Sequence, residues 1–262
     1  MFMHSWASIC RRGGDSTLTP ELTPFYDRTI VNDPFDIEKS YIHGWLAHEG
    51  PNNRSLEIWD SKAQEDAMLG TFKLTQANIE SMKKWVEAKW QEKHLEKPTF
   101  HPSTFAVTSA YAWVCLIKTR KLTTKNVHLY ISVDCRARLE PPIPSTYFGN
   151  CITGCVIGVD TNKLMQEDGV AIAARAIVEA KEGGFLVSVA SSPRFEVYKI
   201  DFGWGIPKKV EMLIENSGAL SLSDSRDGNG GVEIGVVLMK NETEAFASMF
   251  TSGLKQHQMH QS

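Results

Sequence analysis

A carboxylate and an indole set among glycines, Asp201-Phe202-Gly203-Trp204-Gly205, restrict this chain more than any other stretch. Glycine weakens a strand interior and marks a bend or a close approach of two backbones. The apolar-rich Phe195-Glu196-Val197-Tyr198-Lys199-Ile200 precedes the stretch, and Ile206-Pro207-Lys208-Lys209-Val210 follows it. The segment therefore predicts a strand, a sharp bend and a second strand. Asp201-Phe202-Gly203 alone would also fit the metal-binding segment of a protein kinase. That reading needs a glycine loop and a His-Arg-Asp loop, and the chain has neither.

The rest of the chain divides unevenly. Gly13-Gly14-Asp15-Ser16 and Pro20, Pro24 and Pro34 make the first third loop-rich and rule out a long helix there. It reads as a connector laid over other structure, with Phe25, Tyr26, Phe35, Tyr41, Trp45 and Trp59 needing somewhere to dock. From Gly70 the pattern sharpens. Phe72-Lys73-Leu74 is a short strand, and Thr75 caps a helix to about Lys93, with Ile79, Met82, Val86 and Trp90 at helical spacing. Pro102-Ser103 opens a second helix, Thr104 to about Lys118, apolar nearly all round and so buried. Val127, Leu129, Ile131 and Val133 alternate as a strand, and a third helix runs from about Val170 to Glu182, stopped by Gly183-Gly184.

The last third reads as strand-rich: Val210 to Ile214, Ala219 to Leu222, and Val232 to Leu238. Arg226 to Gly231 lies before the third of these; no helix and no Gly-Lys-Ser/Thr ending follow it, so it is hairpin chemistry and not a phosphate loop. A closing helix capped by Asn241 or Thr243 runs to about Ser252, and 255–262 reads as a disordered tail. Helices and strands alternate without a regular βαβ period, which predicts a mixed-sheet α/β fold.

Composition narrows the function classes. A formal net charge of −3 gives no whole-chain attraction to nucleic acid or to an anionic membrane. No apolar run approaches the ~18 residues of a spanning helix. The five cysteines, Cys10, Cys115, Cys135, Cys151 and Cys155, are odd in number and have no C-x-x-C spacing. They read as free thiols in a reducing compartment, with the cytosol as the default. His257 and His260 have ligand-like spacing, but two ligands in a tail make no metal site.

Two segments together carry a resemblance. Asp201-Phe202-Gly203-Trp204-Gly205 and Tyr147-Phe148-Gly149-Asn150-Cys151 make the chain resemble the plant BAHD acyltransferases, which move acyl groups from coenzyme A to alcohols or amines. The resemblance implies a chloramphenicol-acetyltransferase-like fold, a two-layer mixed sheet with helices. The Tyr-Phe-Gly-Asn-Cys form resembles members that acylate flavonoid and phenolic glucosides, commonly with malonyl groups. Acyl-CoA, malonyl-CoA in particular, is then the co-substrate, with no bound cofactor. In the family the aspartate of the glycine-tryptophan motif pairs with an arginine. Arg136 and Arg138, just before Pro141-Pro142-Ile143-Pro144, are the candidates here, arginine suiting a buried planar pair better than lysine. Ser103 and Thr104 open a helix whose start borders the coenzyme A channel in the family, where free N–H groups suit an anion. Lys118, Arg120, Lys121 and Lys125, at that helix's other end, read as solvated charge favoured by the helix dipole.

One family feature is missing. The general base belongs to a His-x-x-x-Asp motif, and none of the eight histidines has an aspartate four residues on. The opening Met1 to Ala7 resembles the helix that follows this motif, so the chain reads as the C-terminal part of a member, cut just past its base. The organisation implied is a connector and N-terminal remnant over 1–65, a C-terminal acyltransferase domain over 66–200, a segment over 201–225 packed on the absent first domain, and a return over 226–254. No catalytic residue is assigned, and the chain alone is expected to be inactive. Two readings follow: an acyl-CoA-dependent O-acyltransferase-like protein lacking its base, or a non-catalytic remnant that binds coenzyme A weakly or associates with an intact relative.

Overall fold

Twelve consecutive residues, Ala106 to Ile117, are buried on every side of one helix, as their unbroken apolar and small character predicts. The computed structural model describes residues 2–15, 17–33, 35–49, 66–93, 101–179, 188–190, 192–212 and 218–259. In it α1 is Phe2–Arg11, α2 Ile37–Glu49, β1 Ala67–Leu74, α3 Gln76–Lys93 and α4 Thr104–Arg120. There follow β2 Asn126–Asp134, β3 Ile152–Asp160, α5 Thr161–Met165, α6 Gly169–Val178 and β4 Ser188–Ala190. The chain closes with β5 Leu220–Asp224, β6 Val232–Met239 and α7 Lys240–Met259.

One six-stranded sheet in the order β1-β6-β5-β4-β2-β3 organises these elements. It is mixed: β4 runs parallel to both β2 and β5, and the other pairs are antiparallel. Helices cover one face, α7 against β1 and β6, α4 against β5, and α6 against β3, with α3 packed on α4, α6 and α7. The core lies in this layer, around Trp113, Tyr111, Phe246 and Leu129. Both α3 and α4 start where a side chain satisfies open amides. Thr75 Oγ1 accepts from the Asn78 amide while Asn78 Oδ1 accepts from the Thr75 amide, a reciprocal cap for α3. Ser103 Oγ accepts from Ala106 N at 3.1 Å to start α4.

Several sequence expectations change here. Phe195 to Ile200 is not a strand but two 3-10 turns, Pro193–Phe195 and Val197–Lys199, joined at Glu196 with φ +48°. Within the segment 201–225, Leu220–Asp224 forms β5, a central strand of this sheet, with Leu220 and Leu222 fully buried. The reason is topological. Parallel strands cannot be joined by a tight turn, so β4 reaches β5 through a long crossover. The described parts of 192–219 place Val197 and Val210 to Met212 against Leu69, Thr71, Ser221 and Gly235, on the sheet face opposite the helices. Val210 to Met212 is therefore irregular instead of extended, while 213 and 214 lie outside the described residues.

Four smaller differences follow. The loop-rich first third holds a thirteen-residue helix between its prolines, α2, started by Asp33, whose carboxylate accepts from Ile37 N and Glu38 N. Phe35 and Tyr41 stay 81% and 77% exposed instead of docking, and Trp59 and the Trp45 side chain lie outside the described residues. α6 is described to Val178, with Gly183-Gly184 outside the description. α7 continues to Met259, correcting the expected disorder as far as that residue; nothing from Lys255 to Met259 breaks a helix.

The aromatic contacts under α7 generate a test. Phe246 is fully buried, 4.8 Å from the Phe72 ring and 6.1 Å from that of Phe250. Phe246→Ala is expected to lower stability by about 3–5 kcal/mol, read as an earlier urea midpoint with an unchanged m-value.

Candidate functional site

The glycine-tryptophan bend is built around its own carboxylate. Asp201 Oδ1 accepts from Gly203 N at 2.7 Å and from Gly205 N at 2.9 Å. Both amides can converge because Gly203 and Gly205 adopt φ of +108° and +94°, conformations a side chain would strain. These bonds, first Gly203 and then Gly205, hold the Asp201 carboxyl below the usual aspartate range, and the Arg11 charge adds a smaller pull. Neither Arg136 nor Arg138 is its partner. The bend is anchored from its flanks: Tyr198 donates its hydroxyl proton to Glu233 at 2.7 Å, Val210 N donates to that hydroxyl, and Val197 N donates to Asp224. Trp204 sits at the tip, 94% exposed.

Arg136 serves the second signature segment. Its Nη1 lies 3.0 Å from Asp134 Oδ1, and its Nη2 donates to the carbonyl of Gly149 at 2.9 Å and to that of Tyr147 at 3.3 Å. From the other side Arg28 donates to the Phe148 carbonyl and lies over the Tyr147 ring at 5.1 Å. Gly149 is needed because a Cβ there would collide with Arg28 and the Tyr147 ring. Tyr147 is buried, Phe148 and Asn150 are exposed, and Cys151 is half-buried.

The two signatures are linked through α1. Ring centroids step from Tyr26 to Phe148 at 5.7 Å, to Phe2 at 5.8 Å, to Trp6 at 6.1 Å and to Phe202 at 5.3 Å. Phe2 and Trp6, four residues apart on one helix, share a face. That spacing was the available signal for this aromatic seam, which sequence reasoning missed together with Arg11 and Arg28.

A separate cavity of about 800 Å³ opens at the head of α4. Ser103, Arg138, His101 and Cys155 line it, with Phe105 and Ile157 in its apolar wall. Thr104 is beside it as the first residue of α4 but not in the lining. His101 reaches the rim with its side chain 98% exposed, 3.8 Å from Glu87. Arg120, at the far end of α4, is not solvated charge as expected but paired with Glu242 at 3.0 Å. Among the described residues no group of three His, Cys, Asp or Glu could hold a metal ion, and no helix is long and apolar enough to cross a membrane.

The helix-backed mixed sheet, the cavity at the start of α4 and the two signature segments have counterparts among known proteins. The profile described as the Transferase family matches residues 1–183 and 162–252. Phenolic glucoside malonyltransferase 1 of Arabidopsis thaliana is 33% identical over 290 residues, covering 97% of this chain and 62% of the relative. Malonyl-CoA:anthocyanidin 5-O-glucoside-6''-O-malonyltransferase of Arabidopsis thaliana is 34% identical over 285 residues, with 97% and 62% covered. The crystal structure of vinorine synthase superposes with a TM-score of 0.60 at 20% identity, over 93% of this chain and 56% of that one, a likeness of fold. The chain belongs to the BAHD transferase family. It spans about three fifths of the length of the curated relatives it matches.

The Asp201 bonds predict a pH response. A depressed carboxyl contributes fully above the ordinary aspartate value of 3.8 and loses its contribution as pH falls through the lower folded value. Amide proton shifts of Gly203 and Gly205 are expected to titrate together with a midpoint below 3.8; a midpoint at or above it contradicts the arrangement.

Proposed function

We propose that this chain carries the acyl-CoA-facing part of an O-acyltransferase that moves malonyl, or a similar acyl group, to a hydroxyl of a phenolic or flavonoid glucoside. The observation behind this reading is the cavity at the head of α4, where Ser103 and Arg138 meet an apolar wall. A guanidinium and a helix start suit the phosphates of coenzyme A, and an apolar wall suits its extended arm. The names of the two malonyltransferase relatives support the donor and the acceptor class.

The chemistry requires a base within hydrogen-bond reach of the acceptor hydroxyl. That base takes the hydroxyl proton, the oxygen attacks the thioester carbon, and the coenzyme A thiolate leaves. These 262 residues hold no His-x-x-x-Asp motif. His101 is no substitute: it is solvated at the rim and turned toward Glu87. Lack of a positioned base lowers transfer by about 10²- to 10⁴-fold. A second reading, a non-catalytic protein that binds coenzyme A weakly or associates with an intact relative, draws on the exposed aromatic seam and Trp204. We place the protein in the cytosol, since all five cysteines are free thiols.

Equilibrium binding of malonyl-CoA, followed by transfer to a phenolic glucoside, tests both readings. Arg138→Ala is expected to weaken binding by roughly 10-fold, about 1.4 kcal/mol. Turnover by the chain alone is expected to fall at least about 10²-fold below an intact relative. Undiminished turnover would reject the missing base, and absence of binding would reject the cavity assignment. A gain in the relative's sedimentation on mixing would favour the second reading.

A further inference from the structure

Two of the five cysteines face each other across the end of a strand ladder. The β2–β3 pairing runs from Asn126 opposite Asp160 to Asp134 opposite Ile152, and Cys135 and Cys151 are the residues just beyond that last rung. β2 ends at Asp134 and Cys135 opens a 3-10 turn at φ −97° and ψ −4°, but one bond carries the alignment a residue further, Cys135 N donating to the Cys151 carbonyl at 2.8 Å. Opposed residues of antiparallel strands turn their side chains to one face, with Cα atoms about 4.5–5.5 Å apart. That separation lies within the roughly 4.4–6.8 Å that a disulfide spans. Both residues are half-buried and so within reach of a small reagent. We propose that Cys135 and Cys151 are a built disulfide site, reduced at rest and closed by a low-molecular-weight disulfide such as oxidised glutathione.

The remaining thiols do not share this arrangement. Cys10 is exposed on α1, Cys115 is buried in α4 where burial pushes its thiol up to about 12, and Cys155 pairs in register with Ile131. Burial raises the Cys151 thiol, and the nearness of Cys135 raises it further, so the two sulfurs sense each other. In the step itself one cysteine thiolate attacks a sulfur of oxidised glutathione, forming a mixed disulfide and releasing one glutathione. The second cysteine thiolate attacks the protein sulfur of that mixed disulfide, and the second glutathione leaves. Two protein thiols lose two protons and two electrons, and one glutathione disulfide becomes two thiols. The bond would close a loop holding Arg136, Arg138 and Tyr147 to Asn150. It would thereby tie the cavity edge that Arg138 forms to the segment whose carbonyls Arg136 grips.

The test treats the folded chain with oxidised glutathione, alkylates the remaining thiols and maps tryptic peptides without reduction. Trypsin cuts after Arg136 and Arg138, which separates Cys135 from the peptide 139–163 carrying both Cys151 and Cys155. The expected product joins these two peptides, two hydrogens lighter than their sum, with fragment ions placing the bond at Cys151. It should vanish in Cys135→Ser and in Cys151→Ser and persist in Cys10→Ser and Cys155→Ser. Separate glutathione adducts on Cys135 and Cys151, or a link from Cys151 to Cys155, would overturn the proposal. The map of the unmutated chain decides the matter even where a serine variant fails to fold.

Discussion

The parallel pairing of β4 with β5 is the constraint from which the placement of the signature bend follows. Strands side by side and pointing the same way need a connection that returns along the whole sheet, and that connection must cross one face. The helix face is already filled by α4, α6 and α7. The crossover therefore takes the opposite face, where Tyr198 to Glu233 and Val197 to Asp224 fasten it to β6 and β5. Asp201 to Gly205 forms part of this crossing and turns toward α1, so the motif's position derives from strand order and not from strands of its own.

Elements with a local cause were legible in the residues. α3 shows in its Thr75 start and its spacing of Ile79, Met82 and Val86, and α4 in its unbroken apolar run. The β5–β6 hairpin shows in Asp227-Gly228-Asn229-Gly230, where Asp227 Oδ1 accepts from Asn229 N. The flanks of the bend were not legible, because Phe195 to Ile200 has strand-like side chains in a place with no strand to pair with. There, Ser192 Oγ accepts from Arg194 N and Glu196 takes a left-handed conformation, turning the same residues into 3-10 turns. Tertiary context decided between two backbones that the side chains allow equally.

The site divides in the same way. Ser103 as a helix start and Gly149 as a close approach follow from residue chemistry within a few positions. The partner of Asp201 does not, since any arginine in the chain could reach it on sequence grounds. The carboxylate instead turns inward to two amides two and four residues away, and Arg136 is committed to carbonyls eleven and thirteen residues ahead of it. The bend thus closes on its own amides, the second signature is gripped by Arg136 and Arg28, and α1 joins the two chiefly through rings, with Arg11 adding a smaller charge contribution at Asp201.

This self-sufficiency bears on what Trp204 is for. A bend that satisfied its carboxylate only through a distant arginine would need that arginine to hold its shape. Here two amide bonds and two glycine conformations fix the loop locally, and the indole contributes nothing to them while standing 94% in solvent. A large ring on a fixed backbone has only its own rotamers to lose when another surface covers it, so most of its apolar burial would count toward association. From Phe202, two residues before Trp204 in the chain, ring contacts run through Trp6 and Phe2 to Phe148. An exposed indole on a locally fixed loop, together with the half-exposed rings of Phe2, Trp6 and Phe148, is therefore the physical ground for proposing an associating role alongside catalysis.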